Sequence, residues 1–186
     1  MSNVLVIHPS DKTTDFLKRV YNGKGYDVIT DGNIDQDELK REIEAHDKII
    51  MMGHGTGSGL INPSFYAGPA FAREGRSPFI INDSHAELLK KKETISIWCF
   101  SDKFFRYHGM HGFHTGMIIS EVSEAQYMLG ETPLTAEETL ENMNLFADAL
   151  HDCIDKSPKA MQEYVLAHYV GDDPVTQFNR KNIIVL

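Results

Sequence analysis

The chain is poor in the features that would take it out of an ordinary soluble class. It has only two cysteines, Cys99 and Cys153, on segments that read as a strand end and a helix. A disulfide framework is therefore not expected, and a reducing compartment is the simpler setting. No apolar run approaches the roughly 18 to 20 residues of a membrane span. The start, Met1 to Val6, lacks the basic segment and long apolar core of a secretory signal. A soluble, cytoplasmic protein with no membrane partner is expected. Basic residues are also scarce: 18 Lys and Arg stand against 27 Asp and Glu, a net charge of -9. That balance disfavours a nucleic-acid partner, which would need clustered cations to displace counterions. The one basic run, Lys90 to Lys92, reads as a solvated helix face.

What is present is globular composition, 41% hydrophobic and 24% charged over 186 residues, enough for one core. No internal repeat, low-complexity tract or linker divides it, so residues 1–186 read as a single domain. Val4 to Ile7 is continuously apolar, as suits a strand buried on both faces. Phe16, Leu17, Val20 and Tyr21 follow at helical spacing, Gly23 and Gly25 end that helix, and Tyr26 to Ile29 returns to strand character. Asp35 with Glu38 can cap the next helix, whose Leu39, Ile43 and His46 share a face before Lys48 to Met52. Such alternation predicts an α/β fold, a three-layer α/β/α sandwich around a mostly parallel sheet.

Residues 55 to 78, with Gly55, Gly57, Gly59, Gly68, Gly75, Pro63, Pro69 and Pro78, read as a long irregular loop of the kind that is usually functional. Ser84 to Glu87 has capping-box spacing and opens a short helix leading to the fourth strand, Ile95 to Trp98. After a glycine- and histidine-rich link, Gly116 to Ile119 reads as a fifth strand. Thr135 to Glu138 caps a long helix with Leu140, Met143, Ala147, Leu150 and Ile154 on one stripe, Ser157-Pro158 starts another, and Asn182 to Leu186 reads as a last strand.

Two strand ends carry the chemistry. The third apolar run ends at Gly53-His54-Gly55 and the fourth at Trp98-Cys99-Phe100. Were the two neighbouring parallel strands, an imidazole and a thiol would leave the same sheet edge together, as a nucleophile and its base must. Ligands bind at the carboxyl ends of strands in such sheets. Free N–H groups at the turn after Cys99 could lower its pKa and bind an oxyanion, and the glycines around His54 let backbone approach a substrate.

With a His-Gly dipeptide after one strand and a cysteine after the next, the chain resembles the caspase-like (clan CD) family of cysteine peptidases, which includes caspases, legumain, gingipains, clostripain and separase. The matching residues are His54-Gly55 and Trp98-Cys99, with Trp98 where alanine is usual. The resemblance implies a caspase-like fold over roughly 120 residues and a peptidase or amidase acting on a peptide or small-molecule substrate. Cys99 would be the nucleophile and His54 the general acid and base, with the N–H groups of Gly55 and Cys99 cradling the oxyanion. It implies no cofactor.

Further residues are candidates for contact with substrate. Asp11 and Thr13, in the loop after the first strand, leave the same edge as His54; an acidic pocket there would suit a basic side chain. Thr56 and Asp102 flank the two strand ends, Glu121 follows the fifth strand, and His111 and His114 sit in what reads as a mobile loop. The His108, His111, His114 spacing also invites a metal-dependent hydrolase, although its glycines argue for a loop rather than a ligand-bearing helix. No metal ligand is assigned. The other alternative is a catalytically silent binding module on the same scaffold, recognising a small anionic ligand or a protein partner.

Overall fold

Short apolar runs bounded by turn residues become strands, and the amphipathic stretches between them cover the sheet on both sides. A computed structural model describes residues 3–67 and 77–186. Its strands are β1 (Val4–Ile7), β2 (Asp27–Ile29), β3 (Lys48–Met52), β4 (Gly55–Thr56), β5 (Gly59–Ile61), β6 (Phe79–Ile81), β7 (Glu93–Ile97), β8 (Phe113–Thr115) and β9 (Ile183–Val185). Six of them form the central sheet, in the order β2-β1-β3-β7-β8-β9, while β4, β5 and β6 make a small antiparallel sheet. In the central sheet only β9 runs antiparallel to its neighbour.

The helices are α1 (Lys18–Tyr21), α2 (Gln36–Ala45), α3 (Ala86–Leu89), α4 (Ser101–His108), α5 (Val122–Leu129), α6 (Ala136–Cys153), α7 (Pro158–His168) and α8 (Pro174–Lys181). The two-residue period of a strand sorts its side chains between the covering layers. Leu5, Ile7, Ile49 and Met51 pack with Leu39 of α2, Leu89 of α3 and Phe104 of α4. Val6, Ile50, Met52, Ile95 and Ile97 pack on the other face with Val20 of α1, Phe146 of α6 and Val165 of α7. The result is the expected three-layer α/β/α arrangement. Caps set the helix starts: Asp35 accepts from the N–H groups of Asp37 and Glu38, Thr135 and Glu138 form a capping box, and Pro158 opens α7. No helix among the described residues is long and apolar enough to cross a membrane.

Four expectations change. The fifth strand is Phe113–Thr115, not 116–119. Ile119 needs no strand partner because the Asn179 amide accepts from its N–H at 2.7 Å and donates to its carbonyl at 2.9 Å. The link before it is largely helix α4, held by the buried Phe104 and Phe105. Asn82, rather than Ser84, caps the turn at residues 83–85, taking the Ser84 N–H while the His85 ring takes its own N–H. Finally, the loop expected over 55–78 begins as the β4–β5 hairpin and continues as a 3-10 turn at Pro63–Ala67; residues 68–76 of that loop lie outside the described residues. Gly59 is required in the hairpin, since its φ is +143° and a Cβ there would overlap the Ile81 carbonyl.

Four imidazoles are buried in this frame. Against the pull of burial, His46 is raised by its bonds to Asp27 and the Glu42 carbonyl, whereas burial lowers the other three: His8 and His85 to about 4, His114 to about 3. Between pH 6.5 and these values the unfolded chain binds protons that the folded chain does not. Stability is therefore complete above 6.5 and lost as pH falls toward 4. Each unit of displacement is worth about 1.4 kcal/mol, so the three together withdraw several kcal/mol. Thermal unfolding followed from pH 7 to pH 4 should show a midpoint falling by about 2–4 °C per kcal/mol lost. A flat midpoint over that range would contradict neutral burial of these rings.

Candidate active site

The strand order places a topological switch between β1 and β3, because the chain leaves β1 for one side of the sheet and β3 for the other. The loops after these two strands carry Asp11, Thr13 and His54, and the loop after the adjacent β7 carries Cys99. Met52 pairs with Ile97 across β3 and β7, and both strands end there. His54 and Cys99 each follow two residues beyond, the His54 ring turned to Thr13 and the Cys99 thiol to the Ile118 carbonyl. Both residues line one small, narrow cleft at the carboxyl edge, whose walls include Phe16, Leu17, Ile118, Met143 and Phe146. The cleft is mostly apolar, with Thr14, His54, Cys99 and Ser120 supplying its polar atoms.

Cys99 sits where strand turns to helix. Phe100 adopts the left-handed conformation, φ 65°, and opens α4. For a non-glycine residue that is an uncommon conformation, one that a surrounding structure has to enforce. Here the Phe100 N–H donates to the Gly116 carbonyl at 3.0 Å and the Thr115 hydroxyl donates to the Trp98 carbonyl at 2.8 Å, which pin the turn to the end of β8. The thiol itself is half-buried and donates to the Ile118 carbonyl at 3.6 Å. Burial pushes it up to about 11, and the Glu124 carboxylate adds to the rise. The N–H groups of the turn therefore do not make it an acidic thiol. Cys153 is a core residue, pushed up by burial to about 12.

His54 is held from the β1 loop. Its Nε2 lies 2.6 Å from the Thr13 hydroxyl, which lies 2.7 Å from Asp11 Oδ1, and that same oxygen accepts the Thr13 N–H at 2.9 Å. Although burial pushes the Asp11 carboxyl up, the two Thr13 donors hold it below the usual carboxylate range. Asp11 is thus the cap of the 3-10 turn Lys12–Leu17. It is committed to Thr13 in place of the expected basic substrate group. Behind it, buried His8 contacts Tyr21 OH at 3.1 Å and Thr14 Oγ1 at 3.3 Å, bracing the loop.

Gly55 differs from expectation too. A Cβ there would overlap the Trp98 ring, so the residue is glycine to admit an indole and not a substrate. The Trp98 Nε1–H donates to the Thr56 carbonyl at 3.0 Å, which ties the β4 hairpin to the cysteine turn. The Thr56 hydroxyl accepts from the Ser58 N–H within that hairpin.

The remaining candidates lie elsewhere. Asp102 stands in the first turn of α4, 3.6 Å from Arg106, and does not line the cleft. Glu121 caps α5. His114 is fully buried in β8, bonded to Ser96 Oγ at 2.7 Å and packed on Phe105, so it cannot reach a substrate. His111 precedes β8, at the amino edge of a parallel strand and opposite the cleft. The three histidines do not converge: His108 pairs with Asp83 at 3.0 Å, and no cluster of metal-ligating side chains occurs among the described residues.

Two residues have roles that the sequence did not assign. Glu124 accepts from the N–H groups of Ser120 and Glu121 and from the Ser120 hydroxyl, shaping the cleft rim; its capping-box spacing from Glu121 was the available signal. Trp98 was the other, and its alternation with Ser96 placed it on the face opposite Cys99.

No family model matches the chain, and no curated protein matches it. Among solved structures an NADPH-quinone reductase from P. pentosaceus aligns over 90% of this chain and 98% of that one, at 14% identity and a TM-score of 0.30. A likeness that slight carries no argument about this chain.

Proposed function

We propose that the protein is a cysteine-dependent hydrolase, a peptidase or amidase of caspase-like architecture, acting through Cys99 and His54. The observation that supports the reading is that both residues line one cleft at the carboxyl edge, beside the switch between β1 and β3. The thiol is neutral before substrate arrives, because burial pushes it up to about 11. Nucleophile and base therefore act in one step: Sγ bonds to the acyl carbon as His54 takes the thiol proton, and the imidazolium then gives that proton to the leaving amine. Water, deprotonated by His54, cleaves the thioester and regenerates the thiol. In this reading the Cys99 N–H faces the oxyanion. The apolar walls, Phe16, Leu17, Ile118 and Met143, favour a substrate presenting an apolar group.

The same raised thiol favours a second reading, a silent binding module that takes a small ligand into this cleft. Alkylation at neutral pH separates the two. In a hydrolase Cys99 reacts faster than Cys153, His54→Ala slows it, and turnover of peptide amides falls by about 10² to 10⁴-fold in that variant. Equal labelling rates for the two cysteines, untouched by His54→Ala, leave only the binding module.

A further inference from the structure

Proton counting at the β1 loop gives His54 a defined state. The Thr13 hydroxyl owns one hydrogen and has two close polar neighbours, Asp11 Oδ1 at 2.7 Å and His54 Nε2 at 2.6 Å. An ionised carboxylate only accepts, so the hydroxyl hydrogen belongs between Thr13 and Asp11. The contact with the imidazole is then a hydrogen bond only if Nε2 carries the hydrogen and donates to the Thr13 oxygen. The reverse assignment, hydroxyl to Nε2, sets lone pairs of Thr13 and Asp11 against each other at hydrogen-bond distance. It would also discard the stronger, charge-assisted bond. The Thr13 N–H, donating to the same Asp11 oxygen at 2.9 Å, fixes the carboxylate so that this oxygen cannot turn away. The assignment also disposes of Thr13 as a nucleophile: its exposed hydroxyl lies within reach of an imidazole, but that imidazole nitrogen is already protonated.

We infer that Thr13 and Asp11 are positioning residues that lock His54 as the Nε2–H tautomer, leaving Nδ1 as the nitrogen free to accept a proton. This rests on the hydrolase reading for its consequence, though not for its geometry. It supplies the third element of the site from the loop after β1. The role given to that loop's carboxylate is orientation of the base, through a hydroxyl, and not selection of a basic substrate.

The test is long-range proton–nitrogen correlation on ¹⁵N-histidine-labelled protein at a pH where the ring is neutral, with His54 assigned from a His54→Gln spectrum. Wild type should show the Nε2–H pattern. Thr13→Val keeps the backbone N–H to Asp11 and the side-chain shape but removes the hydroxyl; it should give a mixture of tautomers, and Thr13→Ser should restore the single form. In parallel, Thr13→Val should slow neutral-pH alkylation of Cys99 by about tenfold, a part of the general-base effect, with rescue by Thr13→Ser. An Nδ1–H pattern in wild type, or an unchanged pattern in Thr13→Val, overturns the inference even where Cys99 proves reactive. A tautomer switch in Thr13→Val beside a Cys99 indifferent to His54 supports the positioning and removes the hydrolase reading instead.

Discussion

Trp98→Ala is expected to lower the unfolding free energy by about 3–5 kcal/mol, the range for emptying a buried aromatic site. The indole is 2% exposed, and its ring centroid lies 6.0 Å from that of Phe104 and 5.9 Å from that of Phe105. Its near edge rests on Gly55, where no side chain stands to fill the space left behind. The loss is also polar, because the Thr56 carbonyl forfeits its Nε1–H donor. Thermal or denaturant unfolding measures the first effect, and limited proteolysis in the β4–β5 hairpin measures the second. Trp98→Phe separates them: it keeps most of the packing and removes only the donor, at about 1–3 kcal/mol. A Trp98→Ala protein that unfolds within about 1 kcal/mol of wild type would mean that the indole is not the brace between the cysteine turn and the histidine loop.

The second large effect is expected at Asn179. The side chain is fully buried, and its amide satisfies both backbone groups of Ile119 and donates to Tyr169 OH at 3.2 Å. Asn179→Leu keeps the volume approximately and strands two buried polar groups, the N–H and carbonyl of Ile119, while the Tyr169 hydroxyl keeps Asn142 as its acceptor. At about 1–3 kcal/mol for each group left unsatisfied, the total comes to about 2–6 kcal/mol. The variant also reports on the cleft. Ile119 follows the residue whose carbonyl receives the Cys99 thiol, so loosening this segment should expose Sγ and raise its alkylation rate at neutral pH. An Asn179→Leu protein that is destabilised while Cys99 labels no faster would show that the Ile118 wall is held by its apolar contacts alone.

These two residues also mark the boundary of what local pattern reveals. The runs at Val4, Lys48 and Glu93 could be read as strands because each is short, apolar and ended by a turn residue. The caps at Asp35 and Thr135 could be read because a cap needs only residues three or four positions apart. His54 and Cys99 stood out for the same local reason: each ends its run. Partnership across long separations was not legible. That Gly55 is glycine for the sake of Trp98, or that Asn179 stands in for a strand partner of Ile119, depends on how the sheet is ordered. The expected strand at 116–119 failed for that reason, since Ile119 is buried yet bonded to a side chain. Leu140, assigned to the buried stripe of α6 by spacing, is 52% exposed, and Phe146 lies in the core instead. His111 and His114 were misplaced because three histidines near two glycines resemble a loop, whereas the chain there passes from helix α4 into a buried strand.

The wall that shuts in the thiol depends on residues near the C-terminal end of the chain. Asn179 lies in α8, and Asn182, whose carbonyl accepts the Gly116 N–H at 2.8 Å, precedes β9, which pairs with β8. β1, β3 and β7 need none of these residues to pair with one another. A chain that assembles from its N-terminal half can therefore bring His54 and Cys99 into register before anything covers the sulfur. In that order of assembly the thiol would be open while the parallel strands gather and covered once α8 and β9 dock. Pulse labelling during refolding would time that closure.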